Sequence, residues 1–400
     1  MTTYGHRTGR LDVRVNGARP GDRVVVSQAS HQFAFGNIGF ELLDAVTAGA
    51  VDEAFARDWL ALFNQATLPF YWRQFEPTEG APNTDPMMDG ARWFADRGVR
   101  LKGHPLVWHT LAPQWLLGRS AGEVERALRE RITRDVTRFA GLVDEWDAIN
   151  EAVIMPRFVA EANAITPLAA NVGSVEMVRL AFETARAAND RAKLVLNDFL
   201  LTDEYARLIA DCLDAGIDID AIGLQTHMHQ GFRGEDELGQ ILEQFGTFGL
   251  PLQLTETTLV SGDLMPEHID DLNDYQVEHW PSTPEGEERQ ADDIARHYRM
   301  CVAHPLVESV TYWGLQDGAM WLGAPGGLVR ADGTRKPAYD TLEGLIRGEW
   351  WVAPTEHVVG VDGRIPVSGW GGCYRIEGPA GSAKVTVEAG QSATATATLV

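Results

Sequence analysis

The sequence has few cysteines, no long apolar run and no cluster of basic residues, and each shortage excludes a class of protein. Its three cysteines, Cys212, Cys301 and Cys373, form no Cys-x-x-Cys pair, so we expect reduced thiols rather than a disulfide framework or a zinc knuckle. No apolar stretch approaches the roughly 18 residues of a membrane-spanning helix, so no membrane partner is expected. The N-terminus lacks the apolar core of a signal peptide, which predicts a cytoplasmic protein or a secreted form whose signal has been trimmed.

Positive charge is also scarce. Acidic residues outnumber basic ones by 57 to 34, which gives a formal net charge of −23. Such a field repels nucleic acid, and no run of lysine or arginine opposes it, so nucleic acid is not expected as a partner. A neutral carbohydrate substrate fits the charge better, although acidity of this size also occurs simply as a solubility or habitat feature. The sequence does not indicate the oligomeric state.

Apolar strand-like runs alternate with amphipathic helical patterns through most of the chain. Strands are predicted at 33–40, 64–72, 99–108, 143–151, 192–199, 219–228, 250–257 and 307–315. Helices are predicted near 51–62, 87–98, 121–141, 174–190, 202–215, 234–248, 286–304 and 338–349. Strands that are apolar on both faces and alternate with helices indicate a parallel sheet, and eight such units predict an α/β fold that closes into a (β/α)8 TIM barrel over residues 34–350.

The two ends of the chain have a different pattern. Residues 1–33 and 351–400 contain short segments that alternate polar and apolar residues around turn residues, which is typical of antiparallel strands. Neither end is long enough to form a stable sheet alone, so we expect them to pair into one small β-sandwich module beside the barrel. The alternative is that each end lies separately over the barrel floor.

The carboxyl ends of the predicted barrel strands carry the candidates for chemistry, because the active site of such barrels lies at that face. Strand four ends in Asn150 and Glu151, and strand seven carries Glu256 near its end. The other candidates on these strands are His104, Trp108, His109, Gln225, His227, His229 and Trp313. The set contains no compact group of metal ligands and no glycine-rich phosphate loop, so we predict no metal and no cofactor.

Two facing carboxylates suit the cleavage of a glycosidic bond. The leaving oxygen needs a proton donor, and the anomeric carbon needs a nucleophile or base on the opposite face; the carboxyls are about 5–5.5 Å apart in retaining enzymes and about 6.5–9.5 Å apart in inverting ones. Proximity of two carboxylates also raises the pKa of one of them, which makes it the acid. The indoles of Trp108, Trp313 and Trp321 suit the apolar faces of sugar rings.

Seven segments resemble glycoside hydrolase family 10 and follow one another in that family's order. They are GHPLVWH (103–109), WDAINEA (146–152), LVLNDF (194–199), IDAIGLQTHMH (219–229), LQLTET (252–257), VTYWGLQDGAMWL (310–322) and RKPAYDTL (335–342). The resemblance extends from about residue 33 to residue 348. It implies a TIM barrel and a retaining, xylanase-like hydrolase of β-glycosidic bonds.

The resemblance also implies a role for each matching residue. Glu151 protonates the leaving oxygen and later activates water, and Glu256 forms the glycosyl-enzyme. Asn150 binds the sugar 2-hydroxyl beside the nucleophile. The remaining matches bind the sugar or orient Glu256 in the subsite where cleavage occurs: His104, Trp108, Gln225, His227, Trp313 and Trp321.

Two segments depart from the family pattern. The family usually carries Glu-Asn-x-x-Lys before a tryptophan on strand two, whereas residues 67–72 here read TLPFYW. We expect the apolar segment 68–71, including Tyr71, to suit a different glycone, a decorated sugar or a blocked subsite, with Arg73 as a candidate replacement for the lost cation. The family's nucleophile is commonly followed by Leu-Asp, whereas Thr257 and Thr258 follow here; Thr258 is able to accept a hydrogen bond from the histidine that the aspartate would hold.

Three functions remain open at this stage. The first is hydrolysis of β-1,4-xylan or xylo-oligosaccharides, from within the chain or from its end. The second is hydrolysis of other β-glycosides, such as plant glycosides with bulky aglycones, which the altered strand two favours. The third is a non-catalytic carbohydrate-binding barrel, which the presence of both carboxylates disfavours.

Several polar residues have a second interpretation. His227 and His229 share one face of a strand, which is the spacing of a metal pair, but no third ligand is evident. His109 is interpreted as a core or supporting histidine rather than a catalytic one. Asn197 and Asp198 suit loop capping as well as a site, so they are not among the predicted site residues.

Overall fold

The computed structural model describes residues 4–400, so residues 1–3 of the predicted N-terminal segment lie outside the described residues. The strands are β1 Thr8–Asn16, β2 Arg23–Gln28, β3 Ala34–Ile38, β4 Gln65–Pro69, β5 Arg100–His104, β6 Glu145–Asn150, β7 Lys193–Asp198, β8 Ala221–Leu224, β9 His227–Met228, β10 Leu252–Leu259, β11 Val307–Tyr312, β12 Thr355–Val358, β13 Arg364–Trp370, β14 Gly372–Gly378, β15 Gly381–Val387 and β16 Ser392–Thr398. The α-helices are α1 Phe40–Thr47, α2 Glu53–Leu62, α3 Trp72–Phe75, α4 Thr84–Ala95, α5 Ala121–Phe139, α6 Ile165–Val172, α7 Ser174–Ala188, α8 Asp203–Asp214, α9 Gly234–Gly246, α10 Pro284–Ala303 and α11 Pro337–Glu343. Among these described residues, no helix combines the length and the apolar character needed to cross a membrane.

The central part of the chain is a closed parallel barrel. Its strands follow the order β3-β4-β5-β6-β7-β8-β10-β11, and β11 pairs in parallel with both β10 and β3, which closes the ring. The two-residue strand β9 continues the sixth unit and pairs with the end of β10. All eight strands and all eight helices predicted from the sequence are present, so the predicted (β/α)8 fold is confirmed.

Burial explains why these runs form parallel strands and why the helices pack around them. All eight residues of β10 are buried, as expected of a strand covered on both faces. Helix α5 begins with a capping box in which Ser120 and Glu123 bond each other's backbone and side chain. Its buried face consists of Val124, Leu128, Arg131, Ile132, Asp135, Val136 and Phe139. This apolar stripe attaches the helix to the barrel.

The two ends of the chain form a separate β-sandwich, as predicted. One sheet has the order β13-β1-β16 and the other the order β12-β2-β14-β15, so each sheet combines an N-terminal strand with C-terminal ones. The side chains between the sheets form their own apolar core: Leu11, Val13, Val15, Val24, Val26, Val359, Ile365, Val367, Tyr374, Ile376, Val385, Val387, Ala397 and Leu399. The alternative of two independent straps over the barrel floor is therefore wrong.

Two features were not predicted. Helices α1, α3 and α6 lie in segments where no helix was expected. The connection between β10 and α10 is long, and its buried residues Val260, Met265 and Trp280 pack with Ala324 into a small apolar cluster of their own. All three cysteines are free, as expected, with Cys212 and Cys301 buried.

If the sandwich core is one unit, shortening a side chain within it must destabilise the protein. Ile365 is fully buried between the sheets. We expect Ile365→Ala to lower the free energy of unfolding by about 2–5 kcal/mol, the usual cost of a large-to-small change in a core. The measurement is denaturant unfolding of the whole chain. Val361→Ala is the matched control because Val361 is 97% exposed; equal unfolding curves for the two variants would contradict the described core.

Candidate active site

The predicted candidates meet at the carboxyl end of the barrel. Asn150 is the last residue of β6 and Glu151 follows it, while Glu256 lies in the second half of β10. The other predicted site residues either end a barrel strand or lie in the segment after one: Tyr71 after β4, His104 and Trp108 at the end of β5 and beyond it, Gln225 and His227 after β8, and Trp313 and Trp321 after β11.

Glu151 is held by its backbone in an unusual conformation. Its φ of 57° is in the left-handed region, which non-glycine residues rarely adopt. The Glu151 backbone N–H donates to the Asn197 carbonyl at 2.8 Å, so the neighbouring strand fixes this turn. Strained backbone of this kind persists when the surrounding structure over-determines it, and it is concentrated at functional sites. The turn places the Glu151 carboxyl beside Trp108, Asn150 and Gln225.

The Glu151 carboxyl is surrounded by hydrogen-bond donors. Trp108 Nε1 donates to Oε2 at 2.8 Å, and Asn150 Nδ2 donates to Oε1 at 3.1 Å. Gln225 Nε2 lies 3.4 Å from the same Oε1. These contacts orient the carboxyl but leave it 14% exposed, so a substrate is able to reach it.

Burial makes Glu151 a weak acid. Burial is the largest of the contributions that raise the pKa of this carboxyl to about 8. The negative charges of Asp198 and Glu256 raise it further, whereas the donors Trp108 and Gln225 act in the opposite direction. A carboxyl with this pKa carries its proton at neutral pH, which is the state required of a general acid.

Glu256 has a different set of partners. Its side chain is 7% exposed, and Oε1 accepts a hydrogen bond from Asn197 Nδ2 at 3.0 Å. The other oxygen, Oε2, lies 3.2 Å from His227 Nε2. His227 in turn lies with its Nδ1 3.0 Å from the hydroxyl of Thr258. The carboxylate is therefore supported on both oxygens by groups on β7 and on the segment after β8.

Asn197 connects the two carboxyl groups, and sequence reasoning left it out of the site. Its Nδ2 donates to Asn150 Oδ1 at 2.7 Å as well as to Glu256, and its Oδ1 accepts from Thr255 Oγ1 at 2.6 Å. The available signal was its place at the end of a barrel strand beside Asn150, but an asparagine there suits loop capping equally well. It is fully buried and central.

Asp198 was not among the predicted site residues either, and it has two roles: it caps a loop, and its charge acts on Glu151. Its carboxylate accepts from the Val153 and Leu200 backbone N–H groups at 3.1 and 3.0 Å, which is the capping role. Burial raises its pKa to about 6 in spite of these bonds. Its charge acts on Glu151 as well, as described above.

His104 is fixed by a buried ion pair that the sequence did not indicate. Its Nδ1 lies 2.8 Å from Asp147 Oδ2, and Lys102 Nζ lies 2.7 Å from Asp147 Oδ1. Burial opposes ionisation of Asp147, but Lys102 and His104 outweigh it and lower its pKa. The imidazole is thus held in one orientation, with its ring edge against Trp313 at a centroid distance of 5.3 Å.

Aromatic side chains form the walls of the cleft. Tyr71 contacts Trp108 and His104 at centroid distances of 5.7 and 5.5 Å. On the other side Trp321 packs on His227 at 4.9 Å. Burial and the charges of Glu256, Glu151 and Asp147 raise the pKa of Tyr71 well above its usual value, so it is a neutral phenol near the carboxyls.

Two sequence predictions need correction, and both concern the end of β4, the second barrel strand, and the residues that follow it. Leu68 and Phe70 are fully buried, and Phe70 packs on Phe75 and other core rings, so they do not line the cleft. Arg73 does not replace a cation there, because its guanidinium pairs with Glu161 and the Ala112 carbonyl. Side chains alternate along a strand, so Leu68 and Phe70 share one face, and both pack in the apolar core.

The other two candidate histidines, His109 and His229, are buried neighbours of the site. His109 is fully buried, with Nε2 3.7 Å from Glu151 Oε2, and burial lowers its pKa to about 3. His229 packs on Trp321 at 5.3 Å, and burial together with His227 lowers its pKa to about 3. Within residues 4–400, no group of three or more histidine, cysteine or acidic side chains is arranged to hold a metal ion.

Known proteins that are similar to this chain include enzymes named as xylanases. An Endo-1,4-beta-xylanase/feruloyl esterase of Xylanibacter ruminicola is 26% identical over 284 residues, which cover 65% of this chain and 39% of that protein. A Beta-1,4-xylanase of Dictyoglomus thermophilum is 27% identical over 265 residues, covering 63% of this chain and 70% of the relative. This chain thus spans well under half the length of the first of these proteins.

Solved structures agree with the fold. The crystal structure of xylanase 10B from Thermotoga petrophila in complex with xylobiose superposes with a TM-score of 0.65 at 22% identity, over 80% of this chain and 95% of that one. The family model described as Glycosyl hydrolase family 10 matches residues 51–344, which is more than half of the sequence. The chain therefore belongs to glycosyl hydrolase family 10.

Proposed function

We propose that this glycoside hydrolase cleaves β-1,4-linked xylan or xylo-oligosaccharides by a retaining double displacement, with Glu151 as acid/base and Glu256 as nucleophile. The observation that carries the proposal is the unequal environment of two linked carboxyls. Glu151 is kept protonated by burial, with a pKa raised to about 8, while Glu256 accepts hydrogen bonds on both oxygens. Two carboxyls with opposite protonation states are what glycosidic cleavage requires.

In the first step the Glu256 carboxylate attacks the anomeric carbon as the glycosidic C–O bond breaks. The electron pair of that bond goes to the leaving oxygen, which takes the Glu151 proton. Asn150 lies between the two groups, with its Nδ2 on Glu151 and its Oδ1 accepting from Asn197. In the second step the ionised Glu151 removes a proton from water, which displaces Glu256 and restores the β configuration.

The proposed sugar-binding groups surround this pair. They are Asn150, His104, Trp108, Gln225, His227, Trp313, Trp321 and Tyr71, all at the carboxyl end of the barrel. Indole faces suit the apolar faces of a pyranose, and amide and imidazole groups suit its hydroxyls. The xylanase names of the relatives support xylan as the substrate class.

The end of β4, the second barrel strand, and the residues that follow it support an altered glycone subsite and a second candidate function. Tyr71 of the segment 68–71 is near enough to Glu256 and Glu151 for their charges to raise its pKa, whereas Leu68 and Phe70 are buried. A neutral phenol in a subsite that the family usually builds with charged groups changes which sugar hydroxyls are paired, and pairing of buried polar groups governs specificity. The second candidate is therefore hydrolysis of other β-glycosides by the same carboxyl pair.

A substrate panel distinguishes these functions. The panel contains aryl β-xylosides, xylotetraose and aryl β-glycosides of other sugars, and the first sugar product is followed by proton NMR before it mutarotates. Turnover of the xylosides or xylotetraose with a β product is expected. Turnover of other glycosides alone would support the second candidate, a first product in the α configuration would contradict retention, and no turnover at all would leave a carbohydrate-binding barrel.

Removal of the nucleophile gives the sharpest prediction on mechanism. Glu256→Ala should reduce turnover of an activated aryl glycoside by at least several thousand-fold, because the covalent step is lost. Added azide fits the space left by the carboxylate and should restore turnover, with an α-glycosyl azide as product. Glu267→Ala is the control, since Glu267 lies exposed in the connection after β10. A Glu256→Ala enzyme with near-normal turnover would exclude Glu256 as nucleophile.

The raised pKa of Glu151 predicts an alkaline limit on activity. The protonated form donates the proton, so kcat/KM for substrates with poor leaving groups should be sustained at lower pH and fall as the pH rises through about 8. Asp198→Asn removes a charge that raises this pKa, so the limit should move to lower pH. Asp190→Asn, exposed in the turn before β7 at the opposite end of the barrel, is the control. An unshifted limit in Asp198→Asn would contradict this assignment of the acid.

A further inference from the structure

The contact between His227 and Thr258 determines more than the position of the imidazole. Thr258 is 1% exposed, and its hydroxyl lies 3.0 Å from His227 Nδ1. Among residues 4–400 the Thr258 hydroxyl has no other hydrogen-bond partner. A buried hydroxyl whose proton is left unpaired costs about 1–3 kcal/mol. The proton is therefore best placed on the line to Nδ1, with the ring nitrogen as acceptor.

The opposite side of the ring has a carboxylate as neighbour. His227 Nε2 lies 3.2 Å from Glu256 Oε2, and Glu256 Oε1 is already occupied by the amide of Asn197. An ionised carboxylate accepts hydrogen bonds and donates none. His227 must therefore carry a proton on Nε2 whenever Glu256 is ionised, which is the state that the proposed nucleophile requires.

We propose that Thr258 is a positioning residue that donates its hydroxyl proton to Nδ1 of His227 and so fixes this histidine as the neutral Nε2–H form, which donates to Glu256. This inference rests on the proposed function only for the ionised state of Glu256. The direction is the reverse of the one expected from the sequence, in which Thr258 accepts. A threonine is able to reverse because a hydroxyl both donates and accepts, whereas a carboxylate in its place only accepts.

The neutral form has a consequence for the nucleophile. A neutral N–H orients Glu256 without placing a full positive charge against it, so the negative charge of the attacking oxygen is stabilised less strongly before it bonds to the anomeric carbon. A carboxylate at position 258 would require a proton on Nδ1 too. With Glu256 on the other side, the ring would then carry protons on both nitrogens and become an imidazolium between two carboxylates.

The test is nitrogen NMR of the full chain labelled with ¹⁵N-histidine, with the His227 resonances assigned by their loss in His227→Gln. At neutral pH the wild-type protein should give an unprotonated, pyridine-type Nδ1 and a protonated, pyrrole-type Nε2 for this ring. Thr258→Ser keeps a hydroxyl and should give the same spectrum. Thr258→Asp should give two protonated ring nitrogens. A wild-type ring that is protonated on Nδ1, or a Thr258→Asp ring that is unchanged, would overturn the inference.

Kinetics add a readout that separates positioning from folding. Thr258→Val keeps the shape of the side chain but removes the donor, and we expect kcat/KM to fall about tenfold while the unfolding midpoint falls no further than in the control variant Thr184→Val, since each loses one buried hydrogen bond. Thr258→Ser should restore it. Thr184→Val removes another buried hydroxyl, on α7 away from the site, and is the matched control. If the wild-type enzyme hydrolyses no glycoside, the proposed function fails whatever the spectrum; normal hydrolysis by Thr258→Val would count against Thr258 alone.

Discussion

The site depends on a chain of buried amides that joins two carboxyl groups with different proposed tasks. Thr255 donates to Asn197, Asn197 donates to both Asn150 and Glu256, and Asn150 donates to Glu151. Each donation fixes the direction of the next, because an amide has its donor and its acceptor on different atoms. Glu151 and Glu256 are thereby held by one hydrogen-bonded chain, and a displacement of either amide in it would disturb both.

Hydrogen bonds orient both carboxyls but do not distinguish the proposed acid from the proposed nucleophile. Burial makes that distinction. Glu151 receives donors as well, yet burial and the nearby negative charges raise its pKa to about 8. The positive φ of 57° at Glu151 places its carboxyl near those negative charges. The barrel supports this arrangement because β10, which carries Glu256, is buried along its whole length, and β7, which carries Asn197, is buried at every residue after Lys193. Rigid strands allow a strained turn to persist.

Much of the fold was predictable from the sequence because its signals are local. Alternation of buried strands and amphipathic helices predicted every barrel unit, and the period-two pattern at both ends predicted the sandwich. The helices at 40–47, 72–75 and 165–172 were not predicted because they are short and lie in connections. The strand-end rule likewise predicted Glu151 and Glu256 at one end of the barrel, and the structure links their carboxyls through Asn150 and Asn197.

What the sequence did not predict depends on which way a side chain faces and on which atom donates. Leu68 and Phe70 were expected in the cleft, but alternation along the strand turns them into the core. Asn197 was left out because an asparagine after a strand has two common uses, and only its distances to Asn150 and Glu256 distinguish them. The donor role of Thr258 likewise follows only from the absence of another partner around its hydroxyl in the described part of the chain.

The central claim is that Glu256 forms a covalent bond with the sugar while Glu151 supplies the proton. A 2-deoxy-2-fluoro aryl β-xyloside with an activated leaving group tests it most directly, because fluorine slows the second displacement and lets the glycosyl-enzyme accumulate. After proteolysis and mass spectrometry, the account predicts one fluoroxylosyl group on the peptide that contains Glu256. A label on any other residue, or turnover of the unfluorinated xyloside with no covalent label, would contradict it.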